Sequence, residues 1–222
     1  MQEMKFVAIH NFGGIGYDYY AKSSHLSLEH INNAHRQRFG EDFKSLLGYW
    51  VGYNFIIFPD GKIVQTRKIG EETAAQKGHN FDTVSIALAG NFSISFGTPV
   101  ELPTKEQEGS LIRLIRRIKK RENVDILPGV NIDISLKSII PHRQLQSGTE
   151  CYGAALSNTW VKDIVVAAFQ DEISMIQKLI FNLIAHLNEI MREKTSFGVA
   201  SKPCWELDVR DIKVAEHKTG YE

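Results

Sequence analysis

From Lys5 to His10 the chain carries a short apolar run, and Phe6, Val7 and Ile9 favour an extended backbone, so the pattern predicts a strand. Asn11 to Gly16 is glycine-rich and predicts a loop. Ser27 to Phe39 reads as a helix: Ser27 is a good N-cap, with His30 standing where a capping box would prefer Glu or Gln. Val51 to Phe58 is aromatic and β-branched and predicts a strand. Pro59-Asp60-Gly61 then supplies a turn, and Lys62 to Arg67 the returning arm of a hairpin. Thr83 to Ala89 predicts another strand, ending at Gly90-Asn91. Pro103-Thr104 opens a helix in which Thr104 caps and Gln107 completes the box. Leu111, Leu114, Ile115 and Ile118 form its buried face, and it reaches Arg121. Ile139 to His142 predicts a short strand or strand end. Strands interleaved with helices predict an α/β fold, a central mixed β-sheet flanked by helices.

The texture changes near Gln170. Ile173, Ile176, Ile180, Leu183, Leu187 and Ile190 alternate spacings of three and four, a heptad seam on one long C-terminal helix. Such a seam either docks the helix onto the preceding domain or drives self-association through residues 173–190, because a helix of this length is marginal alone. Ser196 to Glu222 is polar and mixed, an extended tail or a small cap. The expected division is a domain over 1–165 and a C-terminal amphipathic helix with its tail over 166–222.

Composition narrows the partners. Hydrophobic residues make up 43% and charged residues 23% of 222, which suits a soluble globular protein with a sizeable core. Lys+Arg and Asp+Glu both number 26, and this zero balance argues against nucleic acid as a partner. The basic run from Arg113 to Arg121 reads as the solvated face of a helix. Only two cysteines occur, Cys151 and Cys204, too few for a secreted disulfide scaffold, though a single bridge between them stays open. The start, MQEMKFVAIH, lacks the charged-then-apolar pattern of a secretory signal, and no apolar run has the length of a membrane span. Synthesis in the cytoplasm is therefore expected, with any export by another route.

Catalytic zinc normally takes three ligands from His, Cys, Asp and Glu and leaves a fourth position for water. His10 ends the first predicted strand, His142 ends the last, and Cys151 lies in the loop Gly148-Thr149-Glu150-Cys151-Tyr152-Gly153. Strand ends on one rim of a sheet can bring such distant residues together. Taken singly they are weak signals among eight histidines, since a strand-end His more often serves as a hydrogen-bonding residue and a lone Cys as a small buried hydrophobe. His25, His30 and His35 fall on or near one helix. His30 and His35 are five apart, which is not the one-face spacing of a metal pair, so they read as surface or packing residues. Tyr49 and Trp50 suit stacking on a sugar or peptide and core packing equally. Gly13-Gly14-Ile15-Gly16 is too weak for a phosphate loop.

The ordered set of motifs changes these odds. Ala8-Ile9-His10-Asn11 is followed by Gly52-Tyr53-Asn54-Phe55-Ile56-Ile57 with Asp60-Gly61-Lys62-Ile63, and then by Ser85-Ile86-Ala87-Leu88-Ala89-Gly90-Asn91-Phe92. Pro103-Thr104 with Gln107, His142-Arg143 and Thr149-Glu150-Cys151 complete it. Over residues 5 to 155 this resembles the zinc-dependent N-acetylmuramoyl-L-alanine amidases, which include phage amidase-type lysozymes and peptidoglycan recognition proteins. The resemblance implies one Zn2+ on His10, His142 and Cys151, with peptidoglycan as partner. It further implies Tyr53 beside the metal and Thr149 as catalytic donors to the oxyanion formed when water attacks the amide between N-acetylmuramate and L-alanine. Asn80, after His79, occupies the family's loop Asn and reads as loop-shaping.

The departures cluster. The family's Cys-Pro-Gly is Cys151-Tyr152-Gly153, its Gly-Ala-His-Ala is Thr73-Ala74-Ala75-Gln76 so that a groove-lining His is Ala75, and its Ser-Ile-Gly-Ile becomes Val84-Ser85-Ile86-Ala87. These bear on substrate detail more than on metal binding. Recognition relatives without activity typically lose the Cys, which this chain keeps. The resemblance thus implies an enzyme acting on the cell wall as a phage-type endolysin, a virion component or a recycling amidase. Two rivals stand beside it: a peptidoglycan-binding module without turnover, and an assembly protein built on the C-terminal helix.

Overall fold

The computed structural model describes residues 2–12, 26–92, 100–149, 151 and 153–196. The features read at Gly13–Gly16, His25, Tyr152, Cys204 and the tail after Ser196 lie outside the described residues. Two compact units divide the chain, Met1–Phe169 and Gln170–Glu222.

The first unit is built on a five-stranded mixed sheet. Its strands are β2 (Phe6–Phe12), β3 (Phe55–Ile57), β4 (Ile63–Gln65), β5 (Thr83–Ala89) and β7 (Ile139–Pro141), in the order β4-β3-β5-β2-β7. The β3–β4 hairpin is antiparallel and the other pairings are parallel. All seven residues of β5 are buried, as are Val7 to His10 in β2, the continuous burial expected of inner parallel strands covered on both faces. A separate two-stranded parallel sheet joins β1 (Gln2–Met4) to β6 (Val130–Ile132), strands too short to show a period in sequence.

Helix α1 (Leu28–Phe39) is capped by Ser27, whose side chain accepts from the His30 amide. Its Ile31 joins Leu26, Val51, Ile56, Phe58 and Ala89 in one core cluster. Helix α2 (Lys105–Lys120) starts with the predicted capping box of Thr104 and Gln107 and buries Leu111, Leu114, Ile115 and Ile118. Gln107 does more than cap. Its buried Nε2 donates to the carbonyls of Ile57 and Ala89, both at 3.0 Å, and so ties the last residues of β3 and β5 to the helix start.

Three readings change. The strand expected over Val51 to Phe58 is paired only from Phe55 to Ile57, because its first half is held by side chains and a loop. The Gly52 amide donates to His35 Nδ1, Ala74 N–H donates to the Gly52 carbonyl, and Arg67 Nε donates to the Val51 carbonyl. His142 is not a strand residue: β7 stops at Pro141, and His142 opens the short helix α3 (His142–Leu145). The run Arg113 to Arg121 is not all solvated, since Arg116 donates to the carbonyls of Ala167 and Ala168 and Lys119 lies over the Phe169 ring. Those partners end α4 (Asn158–Ala168), a helix not anticipated, capped by Ser157 and burying Val161, Ile164, Val165 and Ala168 against α2 and β7.

In the second unit α5 (Gln170–Ser196) is one continuous helix carrying the predicted seam. Its Ile176, Ile180, Leu183 and Leu187 are exposed.

Replacing Gln107 with Leu strands two buried carbonyls and removes half of the capping box. The expected loss is about 3 kcal/mol, read as a lower urea midpoint at unchanged slope.

Candidate metal centre

The β2–β7 register aligns Ile9 with Pro141, so the following residues, His10 and His142, emerge side by side. Their ring centroids are 4.5 Å apart. His10 belongs to the strand, with Asn11 and Phe12 still paired beyond it, and His142 is the first residue of α3. The loop after α3 returns Cys151 to the same place, its Sγ lying 3.6 Å from His10 Nδ1. One ligand atom from each of His10, His142 and Cys151 lies within 4.8 Å of the others.

These donors fit zinc. Zn–S near 2.3 Å and Zn–N near 2.0–2.1 Å at a tetrahedral angle put sulfur and nitrogen about 3.6 Å apart, which is the observed Sγ–Nδ1 separation. His10 and His142 are 1% and 6% exposed, and His10 Nε2 and His142 Nδ1 are buried with no hydrogen-bond partner. A buried nitrogen without a partner carries a free-energy cost, and a cation seated against Cys151 Sγ and His10 Nδ1 would remove it at His142 Nδ1. Burial, followed by the adjoining His142, lowers the pKa of His10 well below the ordinary range, with the Gln76 side chain opposing. Burial also lowers that of His142, against Gln146. Both imidazoles are thus neutral and can ligate. Burial pushes the Cys151 thiol up to about 12, with the Asn11 backbone working the other way, so taking up a metal cation must release its proton.

Around this trio stand the expected neighbours. The Tyr53 ring lies 5.2 Å from His10, and burial followed by Cys151 raises its pKa, so the phenol keeps its proton. Thr149 Oγ1 accepts the Cys151 amide at 3.2 Å, which shapes the loop and leaves the hydroxyl hydrogen to donate elsewhere. Arg143 is a residue whose role sequence reasoning missed. It donates to the Gly153 and Leu156 carbonyls and to Asn158 Oδ1, and its amide donates to the Cys151 carbonyl, fastening the loop from inside. Its place directly after His142 was the available signal. Gly153 sits at φ +103, and a Cβ there would meet the Phe92 backbone at 2.4 Å, so only glycine fits.

Two further histidines among the described residues, His35 and His79, serve packing. His35 is buried, its Nδ1 accepts the Gly52 amide at 3.1 Å, and its ring packs 5.6 Å from that of Tyr53. His79 packs edge-on to Phe6 and pairs with Asp82 at 3.1 Å. Asn80 shapes its loop, its Oδ1 accepting the amides of Ala75 and Gln76. Trp50 is bracketed by Arg36 and Lys44 and donates to the Glu41 carbonyl, while Tyr49 packs on the core.

The family model described as N-acetylmuramoyl-L-alanine amidase matches residues 1–154. No curated protein sequence matches the chain. Among solved structures, N-acetylmuramoyl-L-alanine amidase LysC from Clostridium intestinale URNW is similar at 22% identity and TM-score 0.51, covering 73% of this chain and 85% of its own. The Ph2119 endolysin from the Thermus scotoductus MAT2119 bacteriophage Ph2119 is similar at 17% identity and TM-score 0.50, covering 74% and 86%. PGRP-SA from Apis mellifera is similar at 20% identity and TM-score 0.50, covering 72% and 81%. At these identities the structures share the fold.

His35 yields a pH test. Burial first, then Arg38 and Arg67, lower its pKa to about 4 from the model-peptide value of 6.5. Between those values the unfolded chain binds the proton and the folded chain does not, so stability is fully present above the higher value and falls as pH drops through the window. His35→Gln keeps an acceptor for Gly52 and does not titrate. Urea unfolding across this range is expected to lose about one proton of slope in that variant.

Proposed function

Because the chain belongs to the N-acetylmuramoyl-L-alanine amidase family, we propose that it hydrolyses the amide between N-acetylmuramic acid and L-alanine in peptidoglycan, with zinc held by His10, His142 and Cys151. The observation that carries this reading is the convergence of two neutral, buried imidazoles and a thiol within 4.8 Å of one another, with Cys151 Sγ 3.6 Å from His10 Nδ1. Zinc at such a site supplies a water acidified toward neutrality and polarises the scissile carbonyl.

The chain's own residues do the rest. Tyr53, held protonated by burial, donates a hydrogen bond to the carbonyl oxygen as it gains negative charge. Thr149 fixes the Cys151 amide and presents its hydroxyl hydrogen to the same oxygen. Arg143 and Gly153 keep the loop closed beneath both. Water adds to the carbonyl carbon, the C–N bond breaks, and the products are the lactyl carboxylate and a free L-alanine amine. No helix among the described residues is long and apolar enough to cross a membrane. The biological setting we favour is a phage-type endolysin, made in the cytoplasm and acting on the wall after release.

We also propose that α5 self-associates through residues 173–190, on the strength of its exposed Ile176, Ile180, Leu183 and Leu187. Sedimentation of the full chain is expected to give an oligomer that Ile180→Asp with Leu187→Asp converts to monomer. A parent chain that is already monomeric removes this idea.

For the enzyme, His142→Ala and Cys151→Ser are expected to abolish release of L-alanine-terminated peptides from purified sacculi by losing zinc. Tyr53→Phe is expected to keep zinc while turnover drops by about 100-fold or more, the loss of one oxyanion donor. Stoichiometric zinc without released peptide would leave a binding module instead.

A further inference from the structure

Gln146 lies one helical turn beyond His142, at the end of α3, so the two side chains share a face. Its Oε1 is 3.2 Å from His142 Nε2 and accepts the Lys77 amide at 3.1 Å. The Lys77 amide comes from the turn between Thr73 and Asn80, which is closed by Asn80 Oδ1 on the amides of Ala75 and Gln76 and by the Thr73 amide on the Asn80 carbonyl.

These contacts settle the proton on His142. A backbone N–H can only donate, so the Gln146 atom facing Lys77 must be the oxygen rather than the NH2 group. That same oxygen faces His142 Nε2 and can only accept, so Nε2 carries the ring hydrogen. The lone pair is thereby confined to Nδ1, the nitrogen that is buried without a partner. Both accepting positions of one amide oxygen are used, one by a loop amide and one by a candidate metal ligand.

We propose that Gln146 is the positioning residue of the metal centre, with the Lys77 amide setting its amide orientation and Gln146 in turn holding His142 in the Nε2–H tautomer with Nδ1 presented for ligation. The zinc half of this proposal rests on the metal reading given above; the tautomer half does not. A second-sphere acceptor on a ligating imidazole fixes ring orientation and raises its basicity. The candidate metal centre and the 73–80 turn are thus joined through one side chain.

The experiment has two readouts on the full chain, taken for the parent, Gln146→Leu and Gln146→Glu. The first is the imidazole nitrogen spectrum of the metal-free protein at a pH where His142 is neutral. The parent and Gln146→Glu, which keeps the acceptor, are expected to show His142 as pure Nε2–H. Gln146→Leu is expected to show a tautomer mixture while its backbone amide spectrum stays folded. The second is zinc affinity by competition with a chromophoric chelator, where Gln146→Leu is expected to weaken binding about 10–100-fold and Gln146→Glu to restore it. An unchanged tautomer and unchanged zinc affinity in a folded Gln146→Leu would overturn the proposal. A parent with the fixed tautomer but no zinc affinity would sink the metal reading and leave Gln146 as the His142 orienter. If Gln146→Leu fails to fold, Gln146→Glu decides: a His142 that loses its Nε2–H form there, despite a retained acceptor, overturns the proposal.

Discussion

The alignment of Ile9 with Pro141 across β2 and β7 is the constraint on which the rest of the first unit depends. Parallel strands share a direction, so the residues that follow the aligned pair stand side by side, one still paired within β2 and the other opening α3. Here those residues are His10 and His142. A slip by one position would turn a ring to the other face and separate the pair. β5, buried throughout, pairs with β2 from Phe6 to Phe12 on the side away from β7 and holds β2 in place.

A register that buries two histidines also creates a problem. His10 Nε2 and His142 Nδ1 have no protein partner, and the Cys151 thiol beside them is pushed out of its ordinary range by burial. Stranding such groups in a core costs free energy, and the protein holds them there through supports rather than relieving them. Arg143 draws the carbonyls of the Cys151 loop together, Gly153 lets that loop press on Phe92, and Gln146 ties His142 to the 73–80 turn. These supports converge on one point, which is what a preformed metal site requires.

How much of this could be read from the chain follows from which signals are local. β5 and α2 were legible because their determinants lie within their own span: a run of apolar residues in one, and Thr104 with Gln107 and the 111-114-115-118 face in the other. The first half of the strand predicted at Val51 was not, since its backbone partners are His35, Arg67 and Ala74, brought in from elsewhere by the fold. α3 spans too few residues to show a period. α4 was passed over although Ser157 and the spacing of Val161, Ile164, Val165 and Ala168 carry the usual helix signals. The trio of candidate ligands emerged from the order of motifs rather than from spacing. The role of Gln146 depends on an amide 69 residues away, which no local pattern encodes, whereas Arg143 was marked only by its place after His142.

The central claim is that this rim binds one zinc ion through two imidazole nitrogens and one thiolate. X-ray absorption at the zinc edge of the purified full chain tests it most directly, because it reads the ligands from the metal outward. The account predicts one sulfur at about 2.3 Å and two imidazole nitrogens at about 2.0–2.1 Å, with the sulfur contribution lost in Cys151→Ser. A zinc shell made only of oxygen and nitrogen in the parent chain would contradict it.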